Sequence, residues 1–262
     1  MTSAAMHIAR TGLDAQDTRM RVISNNLANV NTTAFKKDRA AFETLSYQTI
    51  TAAGAQSTSE SKYATGLNLG TGVKIQGTAR IDTQGSLTTT GNSLDMAVDG
   101  DGYFQVTLPG GGLGYTRAGN FSKSPEGLLI TSEGYQVQPG ITVPATATQV
   151  TIGTDGTVSA TLAGQTESQT IGQIQVATFP NSAGLQAGGD NYLTETTASG
   201  AANLGVAGTE GRGTVRQGML EGSNVNVVEE LVDMIETQRA YEVNSKMITA
   251  TDEMLKYVNQ NI

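Results

Sequence analysis

Apolar residues recur at seven-residue spacing at both ends of this chain and at two-residue spacing through much of its middle. Near the N-terminus Met6, Leu13, Met20 and Leu27 stand seven apart, and Ala9, Ile23 and Val30 follow three residues after their partners. This is the a/d pattern of a coiled-coil seam and predicts a helix over residues 3–29. Gly12 lies inside it at a cost of about 1 kcal/mol relative to alanine. Asn29, Val30, Asn31, Thr32 and Thr33 should end it, because Asn and Thr side chains compete for local backbone hydrogen bonds.

The C-terminal pattern is longer. Val227, Met234, Tyr241, Ile248, Leu255 and Ile262 are spaced by seven, flanked by Ala240, Met247 and Met254. Asn226 followed by Glu229 reads as an N-cap with a capping box, and Glu230, Asp233 and Glu236 place negative charge near the positive end of the helix dipole. A helix over 226–260 follows, roughly 50 Å long at 1.5 Å per residue. After Leu231 the second seam row turns polar, through Gln238, Ser245, Asp252 and Asn259. Such a row sets register more than affinity. The assembly seam read from this spacing comprises Met6, Leu13, Met20, Leu27, Val227, Leu231, Met234, Tyr241, Ile248 and Leu255. Residues 1–45 carry six Lys/Arg against four Asp/Glu, and residues 221–262 three against eight. The charges therefore favour pairing of the two ends.

Between the helices the period is two. Residues 73–77, 94–98, 103–106 and 174–179 read as strands. Asp99-Gly100-Asp101-Gly102, Pro125-Glu126-Gly127 and Asp155-Gly156 supply turns. Residues 48–72 and 181–212, rich in Gly, Ser, Thr and Ala, are expected as loops or extended arms. The fold class is α+β: long N- and C-terminal helices pairing as a coiled coil, with an inserted, mainly antiparallel β body. The expected division is a terminal helical assembly domain of residues 1–35 and 225–262, connecting arms of 36–80 and 205–224, and a β-rich body of 81–204.

Composition narrows the function. The 262 residues include 32 Gly, no Trp and no Cys, with 15% charged and 5% aromatic residues. That bias suits a turn-rich β subunit better than an enzyme packed around large side chains. A net charge of −8 argues against nucleic acid as a partner, since displacing counterions from phosphates needs a basic surface. No run approaches the roughly 18 apolar residues of a bilayer span, so no membrane insertion is expected. The first residues lack the apolar stretch of about 7–15 residues of a secretory signal.

No catalytic constellation emerges. His7, the only histidine, falls on the N-terminal helix, and with no cysteine a zinc site has too few ligands. Asp95, Asp99 and Asp101 suggest calcium, but Gly110 stands where a loop beginning at Asp99 needs its bidentate glutamate, and a β-turn explains them. Gly66, Gly70 and Gly72 lack the Gly-Lys-Ser/Thr of a phosphate loop. Glu229 and Glu230, adjacent on a helix, point about 100° apart and are helix-start charges, not an acid/base pair. No metal, cofactor or catalytic residue is expected.

The run Ile23-Ser24-Asn25-Asn26-Leu27-Ala28-Asn29-Val30-Asn31-Thr32-Thr33-Ala34-Phe35-Lys36-Lys37 resembles the basal-body rod signature of bacterial flagellar axial proteins. Gly218-Met219-Leu220-Glu221-Gly222-Ser223-Asn224-Val225-Asn226, continuing through Gln238-Arg239-Ala240-Tyr241-Glu242, is similar to the C-terminal signature shared by rod and hook proteins, and residues 94–104 to their first body strands. These stretches anchor both ends and the middle of the chain. Within that family the length, and an extra stretch at residues 47–69, are most similar to the distal rod type, where that stretch is linked to a straight, stiff rod. The resemblance implies a non-enzymatic, self-assembling subunit of a helical tube that transmits torque from motor to hook. It implies copies of itself, proximal rod and hook subunits, surrounding ring proteins and the flagellar type III export apparatus as partners. It places the subunit in the basal body, in a rod crossing the periplasm, after export without a cleaved signal peptide. A proximal rod subunit with a similar body is the alternative within the family. A secreted, adhesin-like β-module on a helical stalk is the alternative outside it.

Overall fold

A computed structural model of the chain describes residues 2–56, 63–165 and 167–260; Ile262, the side chain of Asn259 and part of the 47–69 stretch lie outside the described residues. The chain divides into two units, one of residues 1–27, 38–79 and 226–262, the other of residues 28–37 and 80–225.

The first unit holds two long helices, α1 (Thr2–Ala28) and α2 (Val227–Gln260). Asn226 caps α2 as its sequence position predicts: its side-chain oxygen accepts the Val228 N–H at 3.1 Å and its carbonyl accepts the Glu230 N–H at 3.0 Å. The helices run antiparallel, since contacts that climb α1 descend α2: Gly12 against Asn244, Arg19 to Asp233, Asn26 to Glu230. Gly12 earns its place here, because a Cβ on it would lie 3.1 Å from Asn244 Nδ2.

The expected coiled coil on the apolar rows is not what joins them. The row that α2 turns inward contains Glu230 and Thr237, 4% and 0% exposed, whereas Val227 and Leu231 of the apolar seam are 39% and 43% exposed. Knobs-into-holes packing needs apolar side chains on both facing rows. Here the fully buried residues of α2 are polar, those of α1 are Ala9, Ala15, Ile23 and Asn26, and a hydrogen bond and an ion pair cross between the helices.

The same unit contains a ribbon built from the segment after α1. Asp38–Thr44 pairs with Val73–Arg80, and Tyr47–Thr51 pairs antiparallel with Leu67–Gly70. Part of the stretch expected as an arm is thus paired backbone. Gly72 sits against Thr11 of α1, and the Val73 N–H reaches the Thr11 hydroxyl at 3.4 Å.

The second unit is the β body. Its largest sheet has six strands in the order Gln186–Gly189, Tyr192–Thr194, Leu113–Thr116, Tyr103–Thr107, Gln175–Thr178, Asn203–Val206. The stretch 181–212, expected as loop, supplies three of these strands. Alternation places Phe104, Val106 and Val176 on one face, in a cluster with Met96, Val98, Phe121, Val137, Ile174 and Val215. Tyr103, Tyr115, Ala177 and Leu193 form a second cluster on the other face. Phe104 and Phe121 meet edge to face at 5.2 Å. A three-stranded sheet, Ala147–Ile152, Thr157–Leu162 and Ser168–Gln173, completes the larger elements. Gly127 and Gly156 occupy the left-handed conformation at the turns predicted for them, with φ of 87° and 81°. Every strand pair whose register is described is antiparallel.

Candidate assembly surface

The body is tied by a buried charge cluster assembled from three distant parts of the sequence. Glu221 closes the strand Met219–Glu221, which pairs with Leu87–Thr89. Its Oε1 accepts from Lys36 Nζ at 2.6 Å, from the Gly85 N–H at 2.9 Å and from an Arg117 guanidinium nitrogen at 3.3 Å. Lys36 Nζ also donates to the Thr83 carbonyl at 2.7 Å, and Arg117 donates to the carbonyls of Gly102 and Gly100. All three side chains are buried. Burial pulls the Lys36 ammonium below its usual range, opposed by the bond and charge of Glu221.

The segment 28–37 is held by its backbone as well. Ala34 adopts φ of 58°, a left-handed conformation costly for alanine, and donates its N–H to the Glu221 carbonyl at 2.8 Å. Asn224 accepts the Lys37 N–H at 2.7 Å and donates to the carbonyls of Ile81 and Thr83. Both stretches that resemble rod and hook signatures therefore spend several of their polar residues on each other.

Tyr103 lies beside this cluster, with Arg117 over its ring at 5.6 Å. Burial, reinforced by the Asp82 charge, pushes its phenol up to about 12. An unfolded tyrosine ionises near 10. Between those values the unfolded chain releases a proton that the folded chain retains, so this contribution is whole below about pH 10 and is lost as pH rises through 12. The loss is on the order of 2–3 kcal/mol for a shift of about two units. Lys36 acts in the opposite sense on the way up to its unfolded value, so the comparison must be with Tyr103→Phe. Urea unfolding is expected to weaken more steeply between pH 10 and 12 in the native chain than in that variant. Equal slopes would refute it.

In the helical unit the key residue is Asn26, which is 2% exposed. Its amide donates to the Asp38 carbonyl at 2.9 Å and to Glu230 Oε2 at 3.2 Å, while its oxygen accepts the Asp38 N–H at 3.0 Å. One side chain thus joins α1, α2 and the strand after α1. The seven-residue pattern gave no sign of this role, because Asn26 is off the apolar rows; its place in the signature-like run was the available signal. Arg19–Asp233, at 3.2 Å, delivers the predicted charge complementarity between the ends. Both partners are more than a third exposed, so the pair contributes at most about 1 kcal/mol.

Of the seam residues read from spacing, Met6, Leu13, Met20 and Leu27 on α1, and Met234, Ile248 and Leu255 on α2, are half-buried. Val227, Leu231 and Tyr241 are exposed. Apart from the flanking Met247 and Met254, the spacing did not pick out the other exposed apolar residues of α2. Val228, Val232, Ile235, Val243, Met247, Met254 and Tyr257 are each at least half exposed. At 100° per residue they fall within an arc of about 120°, roughly opposite Thr237. The ribbon adds Ile50, Leu67 and Leu69 on one of its faces, all exposed. An isolated two-stranded ribbon is marginal in water. Clusters of exposed apolar residues are characteristic of surfaces that contact other molecules. His7 is exposed on α1.

The family model described as "Flagella basal body rod protein" matches residues 6–36, "Flagellar hook protein FlgE/F/G D1 domain" matches 97–160, and "Flagellar basal body rod FlgEFG protein C-terminal" matches 216–261. The chain is 48% identical to the flagellar basal-body rod protein FlgG of Buchnera aphidicola subsp. Acyrthosiphon pisum, and 49% identical to that of Caulobacter vibrioides. In both comparisons 98% of each chain is covered. It is 36% identical to the flagellar basal-body rod protein FlgF of Caulobacter vibrioides, over 93% of this chain and 92% of the relative.

Proposed function

Because this chain belongs to the flagellar basal-body rod protein family, whose members are structural subunits of the basal body, we propose that it builds the distal part of the rod, polymerising into a helical tube that carries torque to the hook. The observation that carries the reading is the outward face of α2. A free-standing subunit would leave that much apolar surface in water. Copies of the chain, related by a contact that does not close into a ring, would cover it and generate a filament.

In this assembly residues 1–35 and 225–262 form the tube wall and residues 81–204 the outer layer, connected by 36–80 and 205–224. The seam residues from Met6 to Leu27 and from Val227 to Leu255 lie in subunit contacts, beside the outward row from Val228 to Tyr257. The ribbon face of Ile50, Leu67 and Leu69 packs laterally, which is how a Gly- and Thr-rich stretch becomes stiff. Proximal rod and hook subunits bound the polymer at its ends, ring proteins surround it where it crosses the periplasm, and the flagellar type III apparatus delivers it. The distal position rests on the resemblance in length and in the 47–69 stretch; the chain is also more similar to the FlgG relatives than to the FlgF relative.

An in-frame deletion, imaged by electron cryotomography, tests the reading. The expected basal body has a rod truncated at its distal end and no hook. A rod and hook of normal length would overturn the assignment.

A further inference from the structure

The outward face of α2 carries two thioethers seven residues apart. Met247 and Met254 are 51% and 61% exposed, whereas Met96 is fully buried and Met6, Met20, Met219 and Met234 are half-buried. The chain has no cysteine, so methionine is its only sulfur. On one helix face, two turns apart, both sulfurs are open to a small oxidant in the free subunit and would be covered once copies pack on that face.

We propose that Met247 and Met254 are oxidation sites that decide whether a subunit can enter the polymer, an inference that rests on the self-assembly reading above. The oxidant is of the peroxide class. A sulfur lone pair attacks one peroxide oxygen, the O–O bond breaks, a sulfur–oxygen bond forms, and the second oxygen leaves as water after protonation. Methionine loses two electrons and the peroxide gains them. The product is a polar sulfoxide in place of a flexible apolar side chain, which disrupts methionine-rich contacts and is reversed by methionine sulfoxide reductases. An oxidised subunit presents two sulfoxides at the face that must be desolvated, and is rejected. A subunit already packed keeps its sulfurs out of reach.

The test uses the full-length chain. Soluble protein is exposed to dilute hydrogen peroxide, and peptide masses report which methionines gain one oxygen. The critical concentration for polymerisation is then measured by sedimentation before treatment, after it, and after incubation with sulfoxide reductases. Met247 and Met254 are expected to oxidise well before Met96. The critical concentration should rise roughly tenfold or more per site, the scale of one buried methionine side chain, and reductase should restore it. In Met247→Leu/Met254→Leu the critical concentration is measured with and without peroxide and, whatever its untreated value, is expected not to move on treatment. If oxidised and native chains polymerise alike, or if these two sulfurs react as slowly as that of Met96, the inference fails and the assembly reading stands. If the untreated chain does not polymerise at any attainable concentration, both fall together.

Discussion

Glu221→Ala is expected to destabilise the body by about 3–5 kcal/mol, the range for breaking a buried ion cluster by removing one partner. Glu221 Oε1 is the single acceptor shared by Lys36 Nζ, Arg117 and the Gly85 N–H. Without it two buried cations face each other, and their carbonyl partners, Thr83, Gly102 and Gly100, cannot neutralise them. A loss of that size is a large share of the roughly 5–15 kcal/mol by which domains are stable. For a body of this size it lowers Tm by roughly 6–20 °C. Urea unfolding followed by tyrosine fluorescence measures it. Replacing Lys36, Arg117 and Glu221 together by methionine should recover most of the loss, because the desolvation cost disappears along with the attraction. A single-variant effect below about 1 kcal/mol would mean that the cluster is hydrated and dispensable. Amide exchange should show where the damage spreads, with faster exchange at Ala34 and Asn224, whose backbone bonds reach Glu221 and Phe35.

Val232→Asp combined with Val243→Asp should abolish polymerisation while leaving the monomer intact. Both residues are at least half exposed and lie within about 20° of each other on α2, three turns apart. In the monomer each aspartate remains in water, so unfolding should shift by no more than about 0.5 kcal/mol per site. In the polymer each substitution forfeits about 1.5–3 kcal/mol of apolar burial and adds the cost of desolvating a carboxylate. The critical concentration should therefore rise by about two orders of magnitude or more. Helical content by circular dichroism is the control. Normal polymerisation of this variant would remove the α2 face from the assembly contacts and leave the ribbon face of Ile50, Leu67 and Leu69 as the surface to test next.

The difference between the two experiments mirrors what was legible along the chain. Local signals were sufficient for local structure. The heptad rows and the Asn226 cap located both helices to within a residue or two, because a helix's extent depends on its own periodicity and ends. Gly127 and Gly156 marked turns, because positive φ is a single-residue requirement. The signature-like runs around Asn26 and Glu221 pointed to the family, and the same runs hold the polar residues that the fold buries.

Periodicity alone could not say which face of α2 meets α1. Glu230, Thr237 and Asn244 are spaced by seven as regularly as Val227, Met234 and Tyr241. An apolar stripe announces that something must cover it, without saying whether that cover is the same chain or a neighbour. Here the polar row faces inward, where Asn26 and Arg19 satisfy it, and much of the apolar surface is left outside.

Strand partners were equally out of reach. Met96–Asp99 is followed by a turn and then by Tyr103–Thr107, yet it pairs with Thr214–Gln217, more than a hundred residues away. The intervening 181–212 stretch lacks a clear two-residue period because its strands are only three or four residues long and two of the three contain glycine. Nothing in the sequence joins Lys36, Arg117 and Glu221; only the folded chain brings them within hydrogen-bonding distance and excludes water from them. The sequence by itself determined the helices, the turns and the family. The tertiary structure decided which charges are buried and which apolar face is left for other copies, because both depend on contacts between residues far apart along the chain.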